Sequence, residues 1–567
     1  MTATHAEKNE VKFPENVKHF FGKTICYPAV SNSRGPMRRL SALVVFFAPV
    51  SLLLAQQPAP ASDQAPPPAP YVLHRNVSLV FLDGVALDSK GRVVTDLKQS
   101  DFHVTEDGEP QNIRNFDEPG KNTPSPDVTI DSTADLDRLA PRAPVNIVLL
   151  DEFNTRFEDM AFARYSLKKW LEKQPTKLDT PTMLIAVSLE HFTVLRDYTQ
   201  NKDEILTALD KHFVAYPWHL QSITWTPELF GTAHLALRQV AGATAGHQGH
   251  KNMIWLGRGF PTIGLRTHAI DTGRTLHSTT QHTINELRDA RVTLYTIDPA
   301  GVMIDPGVYG EEAREFAPFG GDPRFQALAT ATGGENLYGR NDVDKEIDTS
   351  IRDGASLYTL TYVPANDEHP DKFRKIKVTI DRPGITFVTR PGYFPTLQPH
   401  VSKDGTMGNR LTAEMVSAGS NNMEYDAVEF TAIVSPTDTN SIGVHLNGHG
   451  ISYYIPKDES KPRHTRLVVL VTTFDKKNKE LKRQANMYDF EAPDAPHIGH
   501  ITTPLKFDVK LPPDSKATHA RLVVRVEASG RMGTADFPLT PGATASSAKV
   551  DANSTPPPPP ASTPPAS

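Results

Sequence analysis

Residues 145–151 read VNIVLLD, and after a five-residue step residues 157–173 read FEDMAFARYSLKKWLEK. The first stretch is apolar almost without interruption and ends on an acid. This is the pattern of a strand covered on both faces, not of one that alternates between core and solvent. In the second, Met160, Ala163, Leu167, Trp170 and Leu171 recur at helical spacing and give one apolar stripe. The strand–helix alternation continues outward from this pair. TMLIAVSL and HFTVLRDYT predict a hairpin around Glu190, and helices are expected at 202–213 and 227–243. NMIWLGRGFP predicts a third core strand, 273–290 another helix and VTLYTIDPAG (292–301) a further strand. FQALATA is expected to be a helix stopped by Gly333-Gly334, and Val343, Ile347 and Ile351 mark one more. This order predicts an α/β fold, a doubly wound and mostly parallel sheet over residues 144–355 with helices on both faces.

Flanking segments change character. Residues 76–117 read as a small β unit, with NVSLVFLDGVALD alternating and Asp107-Gly108 signalling a hairpin. Residues 118–142 read as a connector, and 356–395 return to strands through SLYTLTYVP, RKIKVTID and ITFVTR. A loop-rich stretch follows Pro399. Short strands within 424–539 then suggest a β-sandwich of the immunoglobulin type. Prolines, 48 in all, crowd the segment 56–75, read as a linker, and the tail 540–567, read as disordered.

Met37-Arg38-Arg39 precedes the apolar run Leu40–Ala55 and a polar stretch, which is the layout of a secretory signal peptide over 37–55 with cleavage after Ala55; an uncleaved anchor is the alternative. The 36 residues ahead of Met37 are expected to be a mis-called extension. The single cysteine, Cys26, lies within them, so a chain starting at Gln56 would have neither disulfide nor thiolate chemistry. The expected location is the bacterial envelope, periplasmic or secreted, with no stable membrane span once the signal is removed.

A formal net charge of −6 gives no electrostatic case for binding nucleic acid. The chain contains no His-Glu-x-x-His, no Gly-x-Ser-x-Gly elbow, no phosphate-cradling glycine loop and no dinucleotide fingerprint. His445 and His449 flank an Asn-Gly turn, and His247 and His250 lie in a glycine-rich loop. Neither pair has a glutamate at metalloprotease spacing, so both read as solvated loop histidines.

GRVVTDLKQSDFHVTEDGEPQNIRNF, NIVLLDEFNT, GHKNMIWLGRGFP, the ATGG turn and YTLTYVP…FRKIKVTID…TRPGYF together resemble the von Willebrand factor A-related proteins of the acidobacterial type, over roughly residues 72–395. The resemblance implies a site for Mg2+ or another divalent cation at the carboxyl ends of the strands, held by an Asp-x-Ser-x-Ser motif, a loop threonine and a further aspartate. The match here is degenerate. Asp151 stands at the first position, Phe153 replaces the first serine, Asn154 offers an oxygen beside it, and Thr155 stands for the second serine. Thr226 and Thr232 are the candidates for the loop threonine. The later aspartate is missing, and Arg258 occupies its place in Leu256-Gly257-Arg258-Gly259.

Each of these residues also has a plainer reading. Asp151 could accept hydrogen bonds from the following loop, Thr155 could open a capping box with Glu158, and Asp298 could form a turn with Pro299. The expected role is recognition of a protein or another envelope component, without catalysis, through Asp151, Asn154, Thr155, Arg258 and Asp298. A structural subunit of an envelope complex is the first alternative and a hydrolase the second.

Overall fold

The strand Val145–Asp151 is buried at every position, and its residues divide between two cores. Ile147 and Leu149 join Met253, Trp255 and Leu294 on one face; Val148 and Leu150 join Ile254, Leu256 and Ile297 on the other. Alternate residues of a strand point to opposite faces, so a run with no polar break requires cover on both. Here Phe157–Lys173 and Val343–Ala355 cover one face, Thr226–Ala243 and Ile270–Asp289 the other.

The computed structural model describes residues 7–10, 79–189, 192–213, 226–260, 263, 270–301, 324–364, 373–394, 409–448, 451–453, 462–492 and 504–547. The expected signal segment 37–55, the proline-rich linker, Glu190 and His449 lie outside them. Among the described residues no helix is long and apolar enough to cross a membrane.

The strand Val145–Asp151 sits inside a six-stranded sheet ordered Asn336–Leu337, Val292–Ile297, Lys251–Leu256, Val145–Asp151, Lys177–Val187, Phe192–Asn201. Its neighbours are Lys251–Leu256 on one side and Lys177–Val187 on the other, so the chain leaves Asp151 at the point where strand order reverses.

The expectation of a doubly wound, mostly parallel α/β chain is overturned. Parallel ladders occur in this one sheet of five, and even it is mixed, because Phe192–Asn201 runs antiparallel at its edge. The other four sheets are antiparallel, and strand (38%) exceeds helix (26%) among the described residues. The physical reason is that the strands flanking the mixed sheet meet partners that run back along them, some in hairpins and others from far along the chain, so their ladders are antiparallel.

Two four-stranded sheets interleave distant segments into one β-lobe. Val80–Leu87 pairs with Tyr358–Tyr362 and Thr386–Thr389, while Phe102–Glu106 pairs with Arg374–Ile380. Asp107 and Gly108 both take positive φ, 52° and 92°, in the hairpin that their sequence signals. Two further antiparallel sheets face each other over Phe430, Val444, Leu467, Val469, Tyr488 and Leu522. Thr544–Ser546 pairs with Phe430–Val434, so residues read as part of a disordered tail supply an edge strand. Glu7–Glu10 pairs at another edge, against Glu480–Glu491.

Two stretches read as connectors contain helices. Thr133–Leu139 is capped by Ser132, and Asn409–Ser420 carries Leu411, Met415 and Ala418 into the core. That second helix and the outer face of the sheet around Val468, Leu470, Met487 and Val523 share one apolar cluster with Leu237, Val240 and Ala241.

Candidate functional site at the carboxyl edge of the mixed sheet

Asp151 ends the central strand with its side chain wholly buried. Oδ1 accepts the Asn154 amide at 3.0 Å. Oδ2 accepts Trp255 Nε1 at 3.1 Å and the Gly259 amide at 2.8 Å. An ionised carboxylate offers about four lone-pair directions, and three of them are taken by the chain. Burial pushes the Asp151 carboxyl up to about 6, with the Gly259, Trp255 and Asn154 donors offsetting part of the cost.

Backbone fills the space beside it. Gly257 has φ of 147°, and a Cβ there would lie 2.4 Å from Asp151 Cβ, 2.5 Å from Thr155 Oγ1 and 2.9 Å from Asp151 Oδ2. Thr155 Oγ1 accepts the Arg258 amide at 3.1 Å. The capping-box reading of Thr155 is therefore corrected: the helix begins at Phe157 behind Arg156, and its cap has no side-chain hydrogen bond. Thr226 and Thr232 both lie on the helix Thr226–Ala243, not in a loop.

Arg258 Nε lies 3.5 Å from Asp298 Oδ2, so the two edge residues expected to meet a partner separately form an ion pair. Asp298 Oδ1 also accepts the Ala300 amide at 3.0 Å, the turn role read for it. Asp159 lies in the same field; burial raises its carboxyl, Arg258 lowers it and Asp298 raises it. The structure thus brings Asp151, Asn154, Thr155, Arg258 and Asp298 to one edge, but as a network closed on itself. A divalent cation needs free oxygens. Both Asp151 oxygens are already engaged, Thr155 accepts the Arg258 amide, and the Arg258 guanidinium stands at the same edge paired with Asp298. These residues do not fit the ion.

Sequence reading missed other members of this edge. Glu152 is buried, bonded to His212 Nε2 at 2.8 Å, with Arg164 Nη1 3.8 Å away; Arg164 Nη2 holds the Leu209 and His212 carbonyls at 2.6 and 2.7 Å. This ties the end of helix Lys202–Lys211 to the site and leaves Phe213 83% exposed beside it. Phe157 and Tyr338 are exposed at the ends of the neighbouring helix and strand. Glu346, near Asp298, has both carboxyl oxygens buried without hydrogen bonds, and burial pushes it up to about 7. An acid three residues into a helix gives no sequence signal of that isolation.

The reading of His247 and His250 as solvated is also revised. His247 and His250 are buried: His247 Nε2 meets the Ala143 carbonyl at 2.7 Å and His250 Nδ1 lies 3.3 Å from Asp83. His445 is exposed on a strand.

A different trio, His282, Glu286 and Glu414, gathers ligand atoms within 4.8 Å. Arg238 Nε is 3.8 Å from Glu414, and Arg525 acts on the same carboxyl. Burial alone would raise the Glu414 carboxyl, but His282, Arg238 and Arg525 hold it down to about 2. Two buried guanidiniums already balance these acids, so the trio is an ion cluster between helices and not a cation site.

Comparison with protein-family models finds none that matches the chain, and no curated protein matches it either.

Proposed function

We propose that this chain is a recognition protein of a bacterial envelope, related to von Willebrand factor A proteins, that engages a protein partner through the carboxyl edge of its mixed sheet without a resident cation. The observation that carries this reading is the engagement of both Asp151 oxygens by three donors from its own chain. A cation-dependent adhesion site keeps an open coordination position for a partner's carboxylate, and here there is neither the ion's cradle nor that position. What the edge offers a partner includes exposed aromatic rings, Phe157, Phe213 and Tyr338, on an edge that also carries the Arg258–Asp298 pair. Aromatic residues with a neighbouring arginine are the side chains that dominate protein interfaces. Arg258 is already paired with Asp298 and so is not a bare cation for an acidic partner. The envelope location rests on the segment 37–55 of the sequence.

The test has two arms. Titration of the purified chain with Mg2+, Mn2+ and Ca2+ is expected to give no saturable heat that depends on Asp151. Binding abolished by Asp151→Ala would overturn the cation-free reading. Photo-crosslinking residues at Phe213 and Phe157 are expected to capture one protein from envelope extracts, while the same group at exposed Leu139 captures none. Equal capture at all three positions would remove the carboxyl edge as the contact surface.

A further inference from the structure

A second concave feature lies at the opposite, amino edge of the mixed sheet, where the β-lobe docks. A small, partly open cavity is lined there by Asp83, Arg288, Arg291, Thr293, Thr332 and Arg390. Five structural elements build it. Arg288 and Arg291 lie at the end of helix Ile270–Asp289, Thr293 in the strand that follows, Thr332 at the end of helix Gln326–Thr332, and Asp83 and Arg390 in and beside β-lobe strands. Gly333 allows the close approach: its φ is 91°, and a Cβ there would stand 2.8 Å from the Arg390 amide nitrogen.

Three guanidiniums and one carboxylate line this space, and the carboxylate is already engaged. Arg291 donates to both oxygens of Asp83 at 3.1 and 2.6 Å, Thr359 Oγ1 donates at 2.5 Å, and His250 Nδ1 lies 3.3 Å away. Arg288 is paired with exposed Asp289 and donates to Asn285 and the Phe394 carbonyl. Arg390 donates Nη2 to the Phe81 carbonyl, and its Nε is buried with no hydrogen-bond partner. No carboxylate among the described residues pairs with Arg390. Instead Arg390 and Arg288 share the Tyr393 ring, with guanidinium carbons 5.9 and 5.3 Å from its centre.

Burial, and then the neighbouring charge of Arg288, draw Arg390 down to about 10, the direction expected of a desolvated cation beside a like charge. The helix carboxyl ends supply some partial negative charge. They supply no acceptor to Arg390 Nε. A water molecule in the cavity would accept that hydrogen bond but leave the charge unbalanced. An anion does both.

We infer that this cavity binds a tetrahedral oxyanion, a phosphate or sulfate group, held by Arg390, Arg288 and Thr293 at the junction of the β-lobe and the mixed sheet. Guanidiniums approaching from separate elements suit an acceptor with oxygens in several directions, whereas one planar carboxylate satisfies a single fork. The free ion and a phosphate ester share this chemistry.

The test titrates the full chain calorimetrically with inorganic phosphate, sulfate, a sugar phosphate monoester, acetate and, at matched ionic strength, sodium chloride. Saturable binding of phosphate, sulfate or the ester is expected, at least about tenfold weaker for acetate and chloride, and at least about tenfold weaker in Arg390→Met, with partial recovery in Arg390→Lys. Tighter binding of the ester than of inorganic phosphate identifies an esterified ligand, and the reverse identifies the free ion. Absence of saturable binding, equal binding by Arg390→Met, or equal binding of chloride overturns the site. Should Arg390→Met fail to fold, Thr293→Val keeps the strand's main-chain bonds and is expected to weaken phosphate about threefold or more.

Discussion

Asp151 carries the strongest consequence at the scale of one residue. Its folded carboxyl titrates near 6 because it is buried, against an unfolded value near 4. The folded state therefore binds the proton more tightly. That contribution to stability is full below about pH 4 and is lost as pH rises through about 6. A two-unit shift corresponds to roughly 2–3 kcal/mol. Asp151→Asn removes the titration, so urea unfolding at pH 4.5 and 7 should show a smaller pH dependence in the variant than in the parent. An unchanged difference would mean that Asp151 is not the group responsible. Gly257→Ala is expected to cost about 2 kcal/mol or more, since the added carbon meets Asp151 Cβ at 2.4 Å in a backbone conformation that favours glycine.

The acid at the end of VNIVLLD and the hydroxyl four residues later were legible as special positions. Their roles were not. Trp255 and Gly259, which decide what Asp151 does, lie more than a hundred residues away and reach it only through the pairing of Val145–Asp151 with Lys251–Leu256.

At the scale of elements, helix Asn409–Ser420 is held by both apolar packing and charge. Glu414 meets His282 from helix Ile270–Asp289, Arg238 from helix Thr226–Ala243 and the influence of Arg525 from the adjoining sheet. Opposite burdens define a pH window. Although burial lowers it, Glu286 and Glu414 raise the His282 imidazole, so its contribution is full below about 6.5 and fades as pH rises through the folded value. Glu414 is depressed to about 2, so its contribution is present above its unfolded value near 4.3 and is lost as pH falls through 2. The latch is therefore strongest between about pH 4.5 and 6.5.

Glu414→Ala leaves buried Arg238 and Arg525 without their counter-charge and should cost about 3–5 kcal/mol in denaturant unfolding at pH 6. A cost below about 1 kcal/mol would show that the cluster is solvated and the latch unimportant. The element itself was readable after all: Leu411, Met415 and Ala418 fall at helical spacing, but the proline- and glycine-rich approach to it suggested loop. Element type was clearest where burial on two faces or a strong amphipathic stripe left a local signature. The α/β class was read from the alternation of strands and helices in residues 145–337, which says nothing of the sheets whose strands come from residues near 80 and 390 and outweigh it.

For the whole molecule, the decisive feature is a core that crosses what sequence composition divides. Leu237, Val240 and Ala241 of one helix belong to the same buried cluster as Leu411, Met415, Leu470, Met487, Val523 and Met532. The sheet containing Val468 and Leu470 turns one face to this cluster and the other, through Leu467, Val469 and Val471, to the sandwich interior. Fully exposing a large apolar side chain costs about 1.5–3 kcal/mol, so parting this seam costs on the order of 10 kcal/mol, comparable with the stability of an entire domain. The α/β region and the sandwich should consequently melt in one calorimetric transition; two resolved transitions would show that the seam is not cooperative. Gly242 gives the graded version of the test. A Cβ there would lie 3.2 Å from Met532 Cε and 3.5 Å from Tyr425, and the methionine end can yield by a few tenths of an ångström. Gly242→Ala should therefore stay within about 1 kcal/mol of the parent, helped by the helix preference for alanine. Gly242→Val places further methyl groups against Tyr425 and should cost about 2–3 kcal/mol while lowering the single transition as a whole. If valine instead lowered the sandwich alone and left the α/β region melting where it did, the two would be separate folding units that merely touch.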